Sequence, residues 1–183
     1  MDRARTAGRR NGVVISASVV AAVLALAAGL LVSVAPADAA PTPRWDGVYS
    51  LKRFAASKTG TSLAARQREP DFSDDYTFAT DCVRSRCVAT VVGGPKPANP
   101  TLPQPPRYTW QNGSWVHRYS WQWDCWQGVG VPKVWRPARS VATYKPQSDG
   151  SLKGVWRTTI YGGPCRGTVV MNVAAYPVRV PTS

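Results

Sequence analysis

The sequence predicts an all-β domain, a single small antiparallel barrel or sandwich of about eight strands. Short segments in which apolar and polar residues alternate recur through residues 46–176, separated by turn-forming residues. Such regular spacing is typical of barrels and sandwiches. Apart from an apolar stretch near the N terminus, no long segment has the periodicity of a helix.

The first 39 residues have the features of an export signal. Four arginines among the first ten residues precede an uncharged apolar stretch, 13–35, and Ala37-Asp38-Ala39 supplies the small residues of a signal peptidase site. We therefore expect cleavage after Ala39 and a mature domain of residues 40–183. The stretch is also long enough to remain as a hydrophobic helix that anchors the chain in a bilayer. Arg9-Arg10 additionally matches a twin-arginine signal. The uncleaved anchor and the twin-arginine signal both stay open as alternatives.

An aromatic hairpin at residues 108–126 is the strongest local signal. Asn112-Gly113 is typical of a type I′ turn, which requires positive φ at both central residues. This turn places Trp110 opposite Trp115. Alternation along the two strands then puts eight residues on one face: Tyr108, Trp110, Trp115, His117, Tyr119, Trp121, Trp123 and Cys125. Because the other face is almost entirely polar, we expect this row to face the core. An open aromatic binding face is the alternative.

The remaining elements follow from the same alternation. Besides the hairpin, predicted strands lie at 46–54, 76–82, 87–92, 141–145, 152–160 and 168–176. Residues 58–75 form a polar connection with a short helix at 63–68. Residues 93–106 contain six prolines and predict an extended, stiff loop. Residues 127–137 are interrupted by glycine and proline, which indicates a crossing between sheets.

All four cysteines lie in the mature domain, at Cys82, Cys87, Cys125 and Cys165. An even number in an exported chain predicts two disulfides, for which three connectivities exist. Cys82 and Cys87 flank a short turn and would face each other across a hairpin, at a separation that suits a disulfide. The second bond would then join Cys125 to Cys165. Their spacing does not fit zinc, and we expect neither a metal nor a cofactor.

The chain is strongly basic. The mature domain keeps 19 basic and 8 acidic residues of the 23 and 10 in the whole chain, which gives 19 − 8 = +11. These charges are spread along the sequence, whereas a nucleic-acid interface would cluster them, so no nucleic-acid partner is predicted. A basic surface of this kind attracts anionic components of a cell envelope. An open aromatic row could instead bind envelope glycans.

The sequence contains no convincing catalytic set. His117, the single histidine, is in phase with the aromatic row and is interpreted as a core residue. Asp71, Asp74 and Asp75 form the one carboxylate cluster. Paired carboxylates hydrolyse glycosides, so an envelope carbohydrate hydrolase is the alternative function. A trio in a polar loop is more often simply solvated, and no catalytic residue is assigned.

Two tryptophans are candidate ligand contacts, because exposed tryptophan stacks on sugars and cations. Trp126 follows the aromatic strand and falls outside its inner face. Trp45 lies close to the start of the mature domain. We expect both side chains to be exposed and able to contact a ligand.

Several short motifs resemble a known group of proteins. They are Thr80-Asp81-Cys82, Cys87-Val88-Ala89-Thr90, Gly113-Ser114-Trp115, the stretch Pro146-Gln147-Ser148-Asp149-Gly150-Ser151-Leu152-Lys153-Gly154, and Cys165 before a terminal strand. In this order they resemble the small β-modules of actinobacterial, mycobacterial-type exported proteins and of the extracytoplasmic part of membrane serine/threonine kinases. The resemblance implies a secreted or envelope location. It also implies a non-enzymatic binding or sensing role, with an envelope component or envelope protein as partner.

Overall fold

The computed structural model describes residues 42–178, which form a closed barrel of eight antiparallel strands. Each strand pairs with the next along the chain, and the first closes on the last. The strands are β1 (Gly47–Arg53), β2 (Phe72–Val83), β3 (Arg86–Gly93), β4 (Arg107–Gln111), β5 (Ser114–Cys125), β6 (Val134–Pro146), β7 (Leu152–Ile160) and β8 (Gly167–Pro177). The predicted all-β fold of about eight strands is confirmed, and of the two predicted architectures it is the barrel. The expected signal segment, residues 1–39, lies outside the described residues.

Two connections are shorter than predicted because barrel closure extends the neighbouring strands. β2 begins at Phe72, opposite Arg53, so the polar connection ends there rather than at residue 75. The predicted crossing at 127–137 is wrong from Val134 onward, since that residue pairs with Cys125 and β6 continues directly from it. A single closed sheet offers no second sheet to cross to.

Two short helices interrupt the connection between β1 and β2. A single 3-10 turn spans Ala55–Ser57. The helix α1 (Leu63–Arg66) falls within the predicted range, and the Ser62 hydroxyl caps its N terminus by accepting from the backbone N–H of Ala64. In the described part of the chain, no helix is long and apolar enough to cross a membrane.

The aromatic hairpin has the predicted register. Asn112 and Gly113 have φ of 48° and 75°, which are the positive values that their turn requires. Trp110 lies opposite Trp115, and the strand pair continues to Thr109 and Val116.

The two ends of the barrel differ. The turn end carries the short turns at 84–85, 112–113 and 147–151, together with the residues leading into β1. The loop end carries the long connections at 54–71, 94–106, 126–133 and 161–166. Long loops on a rigid scaffold are where binding residues concentrate, so the loop end is the candidate functional end.

The barrel interior contains two apolar clusters. The larger one surrounds Trp45, Phe78 and Trp115, and the smaller one surrounds the Cys125–Cys165 disulfide beneath α1. Along β6, the buried Ser140 separates them. Its hydroxyl accepts from Trp121 Nε1 at 2.9 Å and lies 2.7 Å from the Thr158 hydroxyl, so this buried polar group is satisfied.

Candidate binding site

The four cysteines form the two predicted disulfides, Cys82–Cys87 and Cys125–Cys165. Cys82 lies directly opposite Cys87 in the β2–β3 ladder, with their Cα atoms 4.0 Å apart. Cys125 ends β5, and Cys165 precedes β8 at the loop end. Both of the latter residues are fully buried. The disulfides therefore hold the barrel together and contribute no reactive thiol.

Trp45 is a core residue, and the expectation that it is an exposed contact is wrong. Its side chain is 0% exposed and stacks on Phe78, with ring centroids 4.1 Å apart. The Trp45 backbone N–H donates to Thr80 Oγ1 at 2.8 Å, and the Thr80 hydroxyl donates to the Trp45 carbonyl at 2.9 Å. These bonds direct the residue into the turn end of the barrel.

Trp126 is exposed, as expected from its position after the aromatic strand. Its side chain is 47% exposed at the loop end. Its carbonyl accepts a hydrogen bond from Gln67 Nε2 at 2.8 Å. The backbone is therefore anchored while the ring faces solvent, and a contact role for Trp126 stays a prediction.

The aromatic row of β4 and β5 faces the barrel interior. At the turn end, Tyr108 and Trp115 are buried in the larger cluster. Toward the loop end, the half-buried His117 and Tyr119 reach a cavity. One row of side chains therefore forms part of the core and part of a concave surface.

The cavity has a volume of about 260 Å³, near the lower end of the roughly 300–1,000 Å³ typical of small-molecule sites. Its walls include aromatic side chains from five strands: Tyr76, Tyr108, His117, Tyr119, Tyr144 and Trp156. Its loop-end boundary is the Pro-rich loop, with residues 94–97 and 102–104 among the lining.

The Pro-rich loop is folded rather than extended. Asn99 and Thr101 form a turn in which the Thr101 backbone N–H donates to Asn99 Oδ1 at 3.0 Å. Asn99 Nδ2 then donates to the Gln122 carbonyl of β5 at 2.8 Å. At its start, Gly94 has φ of 129°, and a Cβ atom there would lie only 2.5 Å from the Tyr76 ring. Proline stiffness and these bonds hold the loop against the cavity.

Arg53 places a cation in the cavity wall. Its side chain is 14% exposed and pairs with Asp74 through Nη1 at 3.2 Å, and Nη1 also donates to the Leu51 carbonyl. The guanidinium lies 5.2–5.9 Å from the ring centroids of Phe72, Tyr76 and Trp156. Burial opposes the charge, but interactions with Tyr144 and the neighbouring tyrosines keep the Arg53 pKa above its usual value. The residue is a permanent cation.

His117, Tyr108 and Tyr144 in the cavity wall are neutral near pH 7. Burial lowers the pKa of His117, although its hydrogen bond to the Arg107 carbonyl opposes this. Because a carbonyl can only accept, His117 Nδ1 carries the proton in that 2.7 Å contact, which leaves Nε2 as an acceptor. Burial raises the pKa of Tyr108 to about 12 and that of Tyr144 well above its usual value. Their hydroxyl groups therefore keep their protons.

The three candidate carboxylates do not form a pair. Asp74 lies in phase with Tyr76 on the inner side of β2 and binds Arg53, whereas Asp75 is exposed on the opposite face of the strand. Asp71 accepts from the backbone N–H of Ala56. Residues 42–178 also contain no group of three His, Cys, Asp or Glu side chains placed to hold a metal.

Arg53 was not predicted as a site residue, although its position in β1 provides a signal. Arg53 is in phase with Tyr49 and Leu51, so alternation alone puts it on the inner face of β1. Trp156 lies within the predicted strand at 152–160. What could not be foreseen is that barrel closure brings β1, β2, β5 and β7 around one space.

Comparisons with known proteins agree with this fold. The monomer form of the M. tuberculosis PknI sensor domain matches with a TM-score of 0.55 at 18% identity, over 76% of this chain and 90% of that one. The dimer form matches with a TM-score of 0.47 at 20% identity, over 80% and 98%. Among curated proteins, nothing matches the chain. The model of the PknI serine/threonine-protein kinase sensor domain family matches residues 42–182. The chain therefore belongs to the PknI serine/threonine-protein kinase sensor domain family.

Proposed function

We propose that this chain is a non-enzymatic binding module of the cell envelope, and that the cavity beneath the Pro-rich loop is its ligand site. One observation carries the proposal: an aromatic cavity with a cation in its wall lies at the end of the barrel that bears the long loops. The turn end is filled by Trp45 and its neighbours. Membership of a sensor-domain family supports a binding role.

An extracytoplasmic location accounts for two features. Two disulfides without a free cysteine in the described residues suit an oxidising compartment. The N-terminal export signal predicted at residues 1–39 would deliver the chain there. In this proposal the signal is either cleaved after Ala39 or retained as an anchor, and the barrel is outside the cytoplasm in both cases.

The outer surface offers a separate contact for an anionic envelope polymer. Three exposed arginines lie on the outward faces of the adjacent strands β5, β6 and β7: Arg118, Arg139 and Arg157. No acidic residue of these three strands lies beside them. Closely placed like charges create a local positive potential. We assign the attraction for anionic wall or lipid material to this face, and to Trp126 at the loop end a contact with a glycan or an envelope protein.

The carbohydrate hydrolase is the less favoured function. Glycoside hydrolysis needs two carboxyl groups on either side of one bond, about 5–9.5 Å apart. Asp74 and Asp75 point to opposite faces of β2, and Asp71 is bound to backbone at the start of the strand. None of the three lies opposite a second carboxylate across the cavity.

Retention of envelope molecules by the purified chain tests the proposal. The chain is equilibrated with a small-molecule extract of cell envelope, and retained compounds are identified by mass spectrometry. We expect wild type to retain a compound unchanged. Val91→Phe should not retain it, because this substitution places a larger side chain in the cavity wall. Val83→Phe, at the exposed turn end of β2 and outside the cavity lining, is the control. Equal retention by Val91→Phe, or conversion of the compound, would contradict the proposal.

A further inference from the structure

The cavity presents several hydrogen-bond donors. The hydroxyl groups of Tyr108 and Tyr144 remain protonated. The Arg53 guanidinium donates from Nη1 to Asp74 and to the Leu51 carbonyl, and it also interacts with the Tyr76 side chain. Within residues 42–178, the buried Trp156 Nε1–H has no hydrogen bond of good geometry, although it interacts with the Tyr119 hydroxyl. Leaving such a donor unpaired is costly, at about 1–3 kcal/mol. A ligand rich in acceptor atoms would supply what this lining lacks.

The rim of the cavity has a net positive charge. A shallow groove continues outward from it between Arg53, Asp74, Lys96 and Trp156. Two cations and one carboxylate leave a net charge of 2 − 1 = +1. Asp74 is the more accessible partner of the ion pair, at 42% exposed against 14% for Arg53. An incoming anion can therefore replace Asp74 at the guanidinium while Asp74 turns to solvent.

The rest of the lining is flat and apolar. Tyr144 and Tyr108 form a deep aromatic wall, and Leu51 and Ala142 add aliphatic surface. Burial of a ring against such surfaces is favourable, and guanidinium binds oxyanions in a bidentate geometry. The volume of about 260 Å³ suits a small ligand.

We infer that the ligand is a small acid with a flat apolar body, whose oxyanion binds Arg53 and whose body packs against the aromatic wall. This inference rests on the proposed ligand site and specifies the chemical class that the site takes. Asp74 acts as an internal competitor that occupies the guanidinium when no ligand is bound.

Binding of simple probes to the purified full chain tests the inference by calorimetry. Benzoate carries the carboxylate, benzamide is its neutral counterpart of similar shape, and phenyl phosphate separates a phosphate from a carboxylate preference. We expect benzoate or phenyl phosphate to bind wild type at least about tenfold more tightly than benzamide, as charge-assisted hydrogen bonds imply. A wild type that binds benzamide as well as either anion overturns the inference, as does one that binds neither anion.

Two substitutions should act in opposite directions. Arg53→Met should weaken binding of the preferred anion about tenfold or more, and Asp74→Asn should strengthen it about threefold by removing the competitor. Benzamide binding should change in neither variant. Arg86→Met, which removes an equal charge from the exposed start of β3, is the matched control. Should Arg53→Met fail to fold, Asp74→Asn still decides, because unchanged or weaker anion binding in that variant contradicts the inference. If wild type retained a neutral envelope compound and Val91→Phe did not, the proposed binding function would be supported and the inference of an acidic ligand would be contradicted.

Discussion

At the scale of single residues, two tryptophans at opposite ends of the barrel have different roles. Trp45 fills the interior of the turn end and contacts the rings of Phe78, Tyr108 and Tyr144. Trp126 extends from the loop end into solvent. Large buried aromatics dominate core energetics, so only the first of the two should matter for stability.

Trp45→Ala should therefore lower the free energy of unfolding by about 3–5 kcal/mol, because it leaves a cavity among packed rings. Trp126→Ala removes the same side chain from an exposed position and should change the free energy of unfolding by less than about 0.5 kcal/mol. Urea denaturation of both variants measures the difference. Equal effects of the two substitutions would show that Trp45 does not hold the turn end closed.

His117 makes stability depend on pH. Burial lowers its pKa in the folded chain below the usual 6.5, against the opposing hydrogen bond to Arg107. Between the two pKa values the unfolded chain binds more protons, so stability rises with pH there. The contribution is fully present above about pH 6.5 and is lost as pH falls toward the folded pKa.

We expect the free energy of unfolding to decrease between pH 7.5 and 5, with a slope of up to about 1.4 kcal/mol per pH unit. His117 is the single histidine of the chain, and carboxyl groups titrate mainly at lower pH. His117→Gln should remove most of this slope, whatever its effect on stability at pH 7.5. A slope that persists in the variant would assign the pH dependence to another group.

At the scale of elements, local turn chemistry accounts for the hairpin of β4 and β5. A Cβ atom at Gly113 would meet nothing within 4 Å, so a substitution there tests backbone conformation without a steric clash. Its φ of 75° lies in the left-handed region that β-branched residues resist.

Gly113→Val should cost about 1–3 kcal/mol through backbone strain alone. Asn112→Gly, at the neighbouring position with φ of 48°, should be tolerated within about 1 kcal/mol because glycine adopts this conformation readily. Thermal unfolding of the two variants gives the comparison. The assigned turn would be contradicted by a Gly113→Val chain as stable as wild type.

The two disulfides close loops of different length. Cys82–Cys87 spans a sequence separation of 5, and Cys125–Cys165 spans 40. In the chain-entropy model, replacing the first pair by alanine costs about 2 kcal/mol, and replacing the second costs about 4 kcal/mol. Chemical denaturation of the two double variants tests this order. A larger loss from the Cys82–Cys87 pair would mean that restriction of the unfolded chain is not the main contribution.

The elements that sequence predicted well are those specified locally. Alternation and the Asn112-Gly113 turn determine the hairpin register, and two cysteines beside a short turn determine one disulfide. The start of β6 was missed because its glycine- and proline-containing approach has no alternation of its own. Val134 joins the sheet through pairing with Cys125, and Pro137 is tolerated there while its carbonyl accepts from Tyr161.

At the scale of the whole molecule, the two ends of the barrel are built differently. The turn end contains the larger core cluster, and the loop end contains the cavity and its Pro-rich boundary. The cavity could not be derived from sequence, because Arg53 and Trp156 are about a hundred residues apart and meet only after β1 closes on β8. Trp45 was misplaced for the same reason, since nothing local shows that it turns inward.

Long-range electrostatics provide the last prediction. With a net charge of +11 in residues 40–183, the chain should be retained by purified anionic cell-wall material at low salt and released as salt increases. Screening explains the expected release, because the Debye length falls from about 10 Å at 0.1 M to about 3 Å at 1 M. Replacing Arg118, Arg139 and Arg157 together by glutamine should lower the salt concentration at which half of the chain is released. Arg53→Met, which removes a charge from the cavity instead, should leave that concentration nearly unchanged. Retention that is insensitive to salt would show that the contact is specific rather than electrostatic. Trp126 would then be the first residue to substitute.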